Sequence, residues 1–533
     1  MRRSLFSSFL WAVGTAALSA QTPAPPPPAA PSTLRLTVDE AVKMATDHNI
    51  ELAAERLDPQ ISDTQVAAAT AAFRPVFNTG VQRNNQLQPP VSFLVPTPTR
   101  VDAVTSTVGL SQSLPWYGAS YNVAWNGVHT NSNSFLNSFN PVLQAGLLLT
   151  VSQPVLRDRA IDAAREQIQS SHIDRDVAGT RLRETAVHTV ASVKSAYWNL
   201  VSARANVEAR QTALELAREL VRVNKAKVDV GQSPPLDLVS AQAEVASDQE
   251  QLIIAETAVK QVEDQLRRLI FDTSDRSVWS ISIEPVDSPP LGLAAPDLEA
   301  AVSAALRDRT DLQRARKGIE TADLGLRFAG SQRLPDVRLN ASYTASGLGG
   351  TQVLRTGGFP GTIVGPGDAT GFASVMNQVL TGRYPTWAVG VSVAYPIGPS
   401  AEDAAYARAK LQGAQSREQL KSAESQAIQQ VRDAWRQIGM NARRIETTRA
   451  ARELAEQRLD AERKRFDVGM STSFLVIQAQ RDLAQAKTNE LAAILAYDLA
   501  LVDFEALQQA GPAAGAAPPV TSASTAAGAS GGQ

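Results

Sequence analysis

The sequence predicts a mainly α fold with a β-barrel part, in which long antiparallel coiled-coil helical hairpins carry a patch of strands. Three observations carry that expectation. The chain is written twice, each half breaks its helices with stretches of period-two hydrophobicity, and the first half holds a heptad run longer than a globular domain needs.

The duplication is visible by eye. Residues 227–244, KVDVGQSPPLDLVSAQAE, reappear as RFDVGMSTSFLVIQAQRD at 465–482, and the same spacing carries Ala196-Tyr197 onto Ala434-Trp435. A slightly longer spacing carries DEAVKMA at 39–45 onto EAAVSAA at 299–305, and Pro75 onto Pro335. A period this long marks a duplicated domain and not a solenoid repeat.

Taken in order, residues 1–20 have the shape of an export signal: Arg2-Arg3, an apolar run from Leu5 to Leu18, then small residues. The run is shorter than the ~20 apolar residues that span a bilayer. A Pro/Ala-rich linker follows over 21–36. The first repeat, 37–272, opens with a helix over 37–72, whose Thr37 and Glu40 form a capping box. The helix stops ahead of Arg74-Pro75, because proline disfavours helix at the residue before it. Barrel strands over 76–153, a long helix over 157–230 and a return helix over 234–272 complete the repeat. A connector at 273–295 carries one short strand at 277–283. The second repeat, 296–508, has a helix at 296–333, strands at 335–396, a long helix at 400–468 and a return helix at 472–508. The Ala/Gly/Ser/Pro-rich tail, 509–533, is expected to be disordered.

Within the strand regions, Trp387, Val389, Val391, Val393 and Tyr395 alternate with small or polar residues, as do Tyr121, Val123 and Trp125. Apolar-out, polar-in strands of about ten residues with aromatics near their ends are the pattern of an outer-membrane barrel. It makes Tyr121, Val123, Trp125, Trp387, Val389, Val391 and Tyr395 candidates for lipid contact. A soluble sandwich with one wet face gives the same alternation, and the export signal and long helices favour the barrel. Six strands are expected: 76–87, 104–114, 119–130, 143–153, 335–345 and 386–395. The motif TVGLSQSL at 107–114 recurs as LTVSQPVL at 149–156, so the first half holds an inserted hairpin at 115–142. Whether it joins the barrel, giving six strands per protomer and not four, stays open. The second half has instead a Gly-rich loop at 349–385.

Ala186, Val193, Leu200, Val207, Leu214, Val221 and Val228 recur every seventh residue, with Ala196, Ala203 and Ala217 on the same side. Such a seam specifies a coiled coil. Roughly 70 residues of helix at 1.5 Å each reach on the order of 100 Å. Gly231 and Gly469 suit the left-handed residue that ends a helix, so both hairpins turn at the same end.

Composition excludes several classes. A net charge of −2 offers no footprint for nucleic acid. The chain has no cysteine, hence no disulfide, no thiolate metal site and no lipid anchor. His48, His129, His172 and His188 have no metal-ligand spacing, and there is no phosphate loop or nucleophile motif. Neither a cofactor nor catalysis is expected.

These features resemble the TolC-like outer-membrane efflux protein family over about 37–508. The resemblance rests on the paired VDVG and FDVG turns and on the paired helices that end in RPV or LPD before a strand. It implies a homotrimer with one shared trimeric barrel among outer-membrane lipid in a Gram-negative-type cell. Its helices extend into the periplasm as a tunnel that meets a periplasmic adaptor and an inner-membrane pump of RND, ABC or MFS type. The implied function is a passive exit duct for efflux or type I secretion; the alternative is a periplasmic coiled-coil adaptor or structural envelope protein. The resemblance also nominates Asp237, Phe474, Leu475 and Gln478 for the pore constriction. Gly231, Ser233, Gly469 and Ser471 are nominated for the adaptor-facing tips. Leu475 and Gln478 stand where the family type has acids, so at most one acidic ring remains.

Overall fold

The computed structural model describes residues 33–90, 97–134, 136–289, 296–358 and 361–512. The expected signal, most of the linker and nearly all of the tail lie outside the described residues. The first half runs β1 (Thr33–Leu36), α1 (Val38–His48), α2 (Ile50–Glu55), α3 (Asp58–Thr70), β2 (Val76–Gln88), β3 (Thr99–Ser113), β4 (Ser120–Ser132), β5 (Phe139–Pro154), α4 (Ala163–Asp229) and α5 (Pro235–Ile270). The second runs β6 (Ser282–Pro285), α6 (Leu298–Asp308), α7 (Thr310–Gln332), β7 (Asp336–Thr356), β8 (Thr362–Thr370), α8 (Phe372–Leu380), β9 (Tyr384–Ala394), α9 (Ala401–Asp467) and α10 (Ser473–Leu507).

The opening helix of each half is not continuous. Thr37 and Glu40 do form the capping box of α1. At Asn49 the backbone turns extended, and the side chain both accepts from the Leu52 amide and donates to the Leu269 carbonyl. One buried amide therefore starts α2 and docks it on α5. In the second half Arg309, 1% exposed, separates α6 from α7, and its guanidinium binds Asp311 and Gln430. The expected single helices at 37–72 and 296–333 are thus interrupted at Asn49 and Arg309, because a buried polar side chain finds its partners only if the chain bends there, and the first is interrupted again at Arg56-Leu57, between α2 and α3.

The connector also differs from expectation. Residues 276–280 form a 3₁₀ turn with Asp275 as its cap, and the strand is β6, which starts at Ser282. Its partner is β1, paired in parallel with Leu34 opposite Ile283, so the end of the linker is a strand. A pair this short and this distant in sequence leaves no periodic signal.

The long helices, α4 and α9, have 67 residues each, on the order of 100 Å. The first starts at Ala163 and not at 157, because Asp162 caps it by accepting from the Arg165 amide. Val193, Leu200 and Leu214 of the heptad seam are buried, with Ala196 and Ala217 letting neighbours approach. The two hairpins, α4–α5 and α9–α10, lie side by side. Lys194 on α4 pairs with Glu505 on α10, and Gln480 donates to the Leu216 carbonyl.

Each half is pinned at mid-height by an aromatic from its long helix. Tyr197 donates to the Leu36 carbonyl at 3.0 Å, just ahead of α1, and accepts from the amides of Val286 and Asp287. Trp435 donates to the Pro296 carbonyl at 2.9 Å, just ahead of α6. Around Tyr197 lies a core of Val193, Leu200, Leu266, Ile270 and Ile283; around Trp435, one of Val431, Ile438, Tyr497 and Phe504.

Candidate channel wall and hairpin tips

All the membrane-type strands among the described residues form one curled antiparallel sheet, in the order β2-β3-β4-β5-β7, with β7 pairing β9 along its lower part and β8 along its upper part. The inserted hairpin is resolved: β4 sits between β3 and β5, in register from Tyr121↔Gln112 to Val123↔Leu149. The expected loop at 349–385 is corrected. There β7 runs on to Thr356, followed by β8 and α8. Gly349 and Gly350 are strand residues of β7 where the chain is crowded. At Gly350 φ is +117°, and a Cβ there would fall 1.9 Å from the Pro141 carbonyl oxygen.

Register sorts the side chains onto two faces. Directly opposed residues share a face, so Leu110, Val123, Leu149, Tyr343 and Trp387 form one row across five strands. Val108, Trp125, Leu147 and Ala345 form the next row. The opposite face carries Asn78, Thr107, Asn122, Asn126, Ser342 and Ser392. On the apolar face Trp387, Val389, Val391 and Val393 are all exposed, as is Tyr395 just past β9. Val123 is half-buried, Tyr121 donates to Gln112, and Trp125 stands edge-on to Phe372 of α8 with centroids 6.2 Å apart.

Both edges of the sheet are open. Every residue of β2 and of β9 is exposed. Unpaired edges this long are normally blunted or covered in a finished protein.

At the far end of the helices each hairpin turns through the same hydrogen-bonded motif. The Gly231 amide donates to Val228 and that of Gln232 to Lys227; the Gly469 amide donates to Phe466 and that of Met470 to Arg465. Both glycines have positive φ, +74° and +76°, the left-handed cap of a Schellman turn. Ser471 donates to Glu462 and holds that carboxyl below the usual carboxylate range. Ser233, in the first turn, is half-buried.

The tips are joined by residues that sequence reasoning passed over. Asn224, with no exposed surface, donates to the Ser473 hydroxyl at 2.7 Å and to the Asp237 carbonyl at 3.2 Å. It therefore bridges the first turns of α5 and α10. Lys227 donates to the Phe466 carbonyl and stacks over its ring at 3.5 Å. Beneath them Leu220, Ala241, Leu459, Val476 and Leu483, drawn from both hairpins, share one core. Asn224 stands seven residues after Ala217 on the alanine side of the seam, a stripe that also admits Arg210, so its position alone gave no signal. Higher up, the buried Glu244 takes a two-pronged ion pair from Arg481 across the hairpins. Burial, and then the Glu244 charge, raise the nearby Asp248 carboxyl. These groups line a polar cavity of about 300 Å³ with Arg210 and Lys487.

Of the nominated constriction residues, Asp237 is half-buried in the first turn of α5, and its carboxylate has no partner among the described residues. Phe474 and Leu475 are exposed, and Gln478 is drawn back to Asp482.

A one-sided apolar sheet, open at both edges and carried on two tip-joined helical hairpins, defines a class: a subunit of a channel-tunnel. The chain belongs to the outer membrane efflux protein family, whose model matches residues 41–270 and 301–508. It is 21% identical over 448 residues to the outer membrane efflux protein BepC of Brucella suis, covering 84% of this chain and 79% of BepC. Among solved structures it is similar to the Campylobacter jejuni outer membrane channel CmeC, with TM-score 0.62, 15% identity and coverage of 89% and 85%. It is likewise similar to the Vibrio cholerae outer membrane protein VceC, with TM-score 0.61, 16% identity and coverage of 88% and 96%. Those likenesses show the fold. Among the described residues no helix is long and apolar enough to cross a membrane.

Proposed function

We propose that this chain is the passive outer-membrane exit duct of a tripartite efflux or type I secretion system, working as a homotrimer with a periplasmic adaptor and an inner-membrane pump. The observation that carries this is the pair of open edges. The chain enters β2 at the helical end of the sheet and leaves β9 at the same end, so the two edge strands run in opposite directions. Copies set side by side continue the antiparallel alternation without a break, and the apolar residues of β9 meet those of β2, Phe77 and Val81, on one face. Three copies of the six full-length strands make eighteen, a count at which a barrel encloses an aqueous channel. Tyr121, Val123, Trp387, Val389, Val391 and Tyr395 then face lipid, with Trp125 on the same face but packed against Phe372 of α8, while Asn78, Asn122, Asn126 and Ser342 face the lumen.

Below the membrane, α4 and α9 are long enough to carry the lumen across the periplasm. The tips around Gly231, Ser233, Gly469 and Ser471 meet the adaptor, and Asp237, Phe474, Leu475 and Gln478 narrow the mouth. Reconstitution of the membrane-extracted trimer into planar bilayers tests the reading. Ohmic steps are expected, and their absence from correctly folded trimer rejects it.

A further inference from the structure

The helix α8 has no place in a plain barrel wall. It lies across the apolar face of the sheet, where Val375 and Val379 are buried against Ala145 and Ala345, with Leu143 and Leu147 beside them. The seat is shaped for it: a Cβ on Gly347 would lie 2.5 Å from the Val375 carbonyl oxygen, and one on Gly349 would lie 2.4 Å from a Val375 methyl.

A polar clamp holds it there. Between the last residue of β7 paired with β9, Ser346, and the first paired with β8, Gly350, the edge of β7 has no strand beside it. In that gap the Leu348 amide donates to the Gln378 side chain, and the Gln378 amide donates back to the Leu348 carbonyl, each at 3.2 Å. Gln378 thus stands in for the missing strand. In hydrocarbon, unmet backbone groups are too costly to leave.

What remains exposed on α8 is two-sided. No residue from Phe372 to Leu380 is charged. At 100° per residue, Ala373, Met376 and Leu380 fall on one flank, and Ser374 and Asn377 on the other. Leu380 is 74% exposed and Phe372 47%. Phe372 reaches Trp125, whose row (Leu147, Ala345) is nearer the middle of the strands than the Gly347 and Gly349 rows that Val375 covers. The apolar flank therefore faces the apolar band of the sheet, and the polar flank faces its outer rim.

We propose that α8 is a membrane-seated helix, docked on the outside of the barrel, whose Ala373–Leu380 flank contacts the acyl chains of the outer leaflet while Ser374 and Asn377 lie at the headgroups. The helix is docked on the same face of the sheet that carries exposed Trp387, Val389 and Val391. A helix with these two flanks suits the acyl–headgroup boundary. The proposal rests on the barrel reading, through the apolar face on which α8 is docked.

The absence of native cysteine makes the test clean. Single variants Ala373→Cys, Leu380→Cys, Ser374→Cys and Asn377→Cys of the full chain, with Val391→Cys as barrel control, are nitroxide-labelled in proteoliposomes. Collision with oxygen, which concentrates in lipid, is compared with collision with a water-soluble nickel chelate. Labels at 373 and 380 should resemble 391, with oxygen collisions several-fold favoured, and labels at 374 and 377 should favour nickel. Nickel access at 373 and 380 with 391 still lipid-like overturns the seated helix alone, as does shielding of 380 from both reagents by another protomer. Nickel access at 391 overturns the barrel reading beneath it.

Discussion

Asn224 donates to Ser473 over 2.7 Å, from the long helix of one repeat to the first turn of the other repeat's return helix. Both groups are buried, so the bond ties the tips of the two hairpins together. Asn224→Ala leaves the Ser473 hydroxyl and the Asp237 carbonyl short of a donor, a loss of roughly 1–3 kcal/mol for buried groups. Hydrogen exchange across 470–480 should quicken by one to two orders of magnitude, with trimer yield unchanged. Unchanged exchange there would mean that the tips are held elsewhere.

The carboxylate of Asp237 is unpaired among the described residues, at the start of α5. Three copies around a narrow mouth would form an anionic ring, which concentrates cations. Asp237→Asn should lower cation preference in reversal-potential measurements and weaken block by trivalent ions, while assembly is retained. Unchanged selectivity would leave Asp237 as a helix-start acid favoured by the macrodipole.

Gly469 holds φ at +76° with open space around it. Gly469→Ala should therefore cost roughly 1–2 kcal/mol through backbone conformation alone, and Gly231→Ala about the same. Exchange at 466–472 should show it as a several-fold loss of protection. Equal protection would mean that the turn readily adopts another conformation.

Asp498 on α10 is 2% exposed, and one of its oxygens lacks a partner. Burial raises its carboxyl from 3.8 to about 7. The folded state therefore holds the proton more tightly than the unfolded state, and stability falls as pH rises from about 4 to about 7, then stays lowered. Asp498→Asn removes that dependence. Its thermal midpoint should match the parent near pH 4 and exceed it by several degrees at pH 8. A parallel pH profile for the two proteins would contradict the assignment.

What was legible in the sequence follows from what is periodic. The heptads of α4, the paired DVG turns and the alternation in β4 and β9 each repeat a physical constraint several times, and each stands out. The breaks at Asn49 and Arg309 do not, because each depends on one buried polar group whose partners, Leu269 and Gln430, are over a hundred residues away. The pair β1–β6 is hidden for the same reason. The stretch 349–385 misled in another way. Its glycines suggest a loop, whereas Gly349 and Gly350 sit where a side chain would collide with α8 and β5. At the tips, the turns were visible but the Asn224 bridge was not, since a single asparagine carries no pattern.

The most direct test of the central claim, that copies of this chain complete one barrel through β2 and β9, is disulfide trapping of the assembled protein in membranes. With no native cysteine, the double variants Val81→Cys/Val389→Cys and Val81→Cys/Val391→Cys place thiols on the same face of the two open edges. Oxidation should convert at least one of them to covalent dimers and trimers on a denaturing gel, while each single variant gives no trimer ladder. Monomer alone from both double variants, in membranes where the trimer is present, would contradict a barrel closed by these strands.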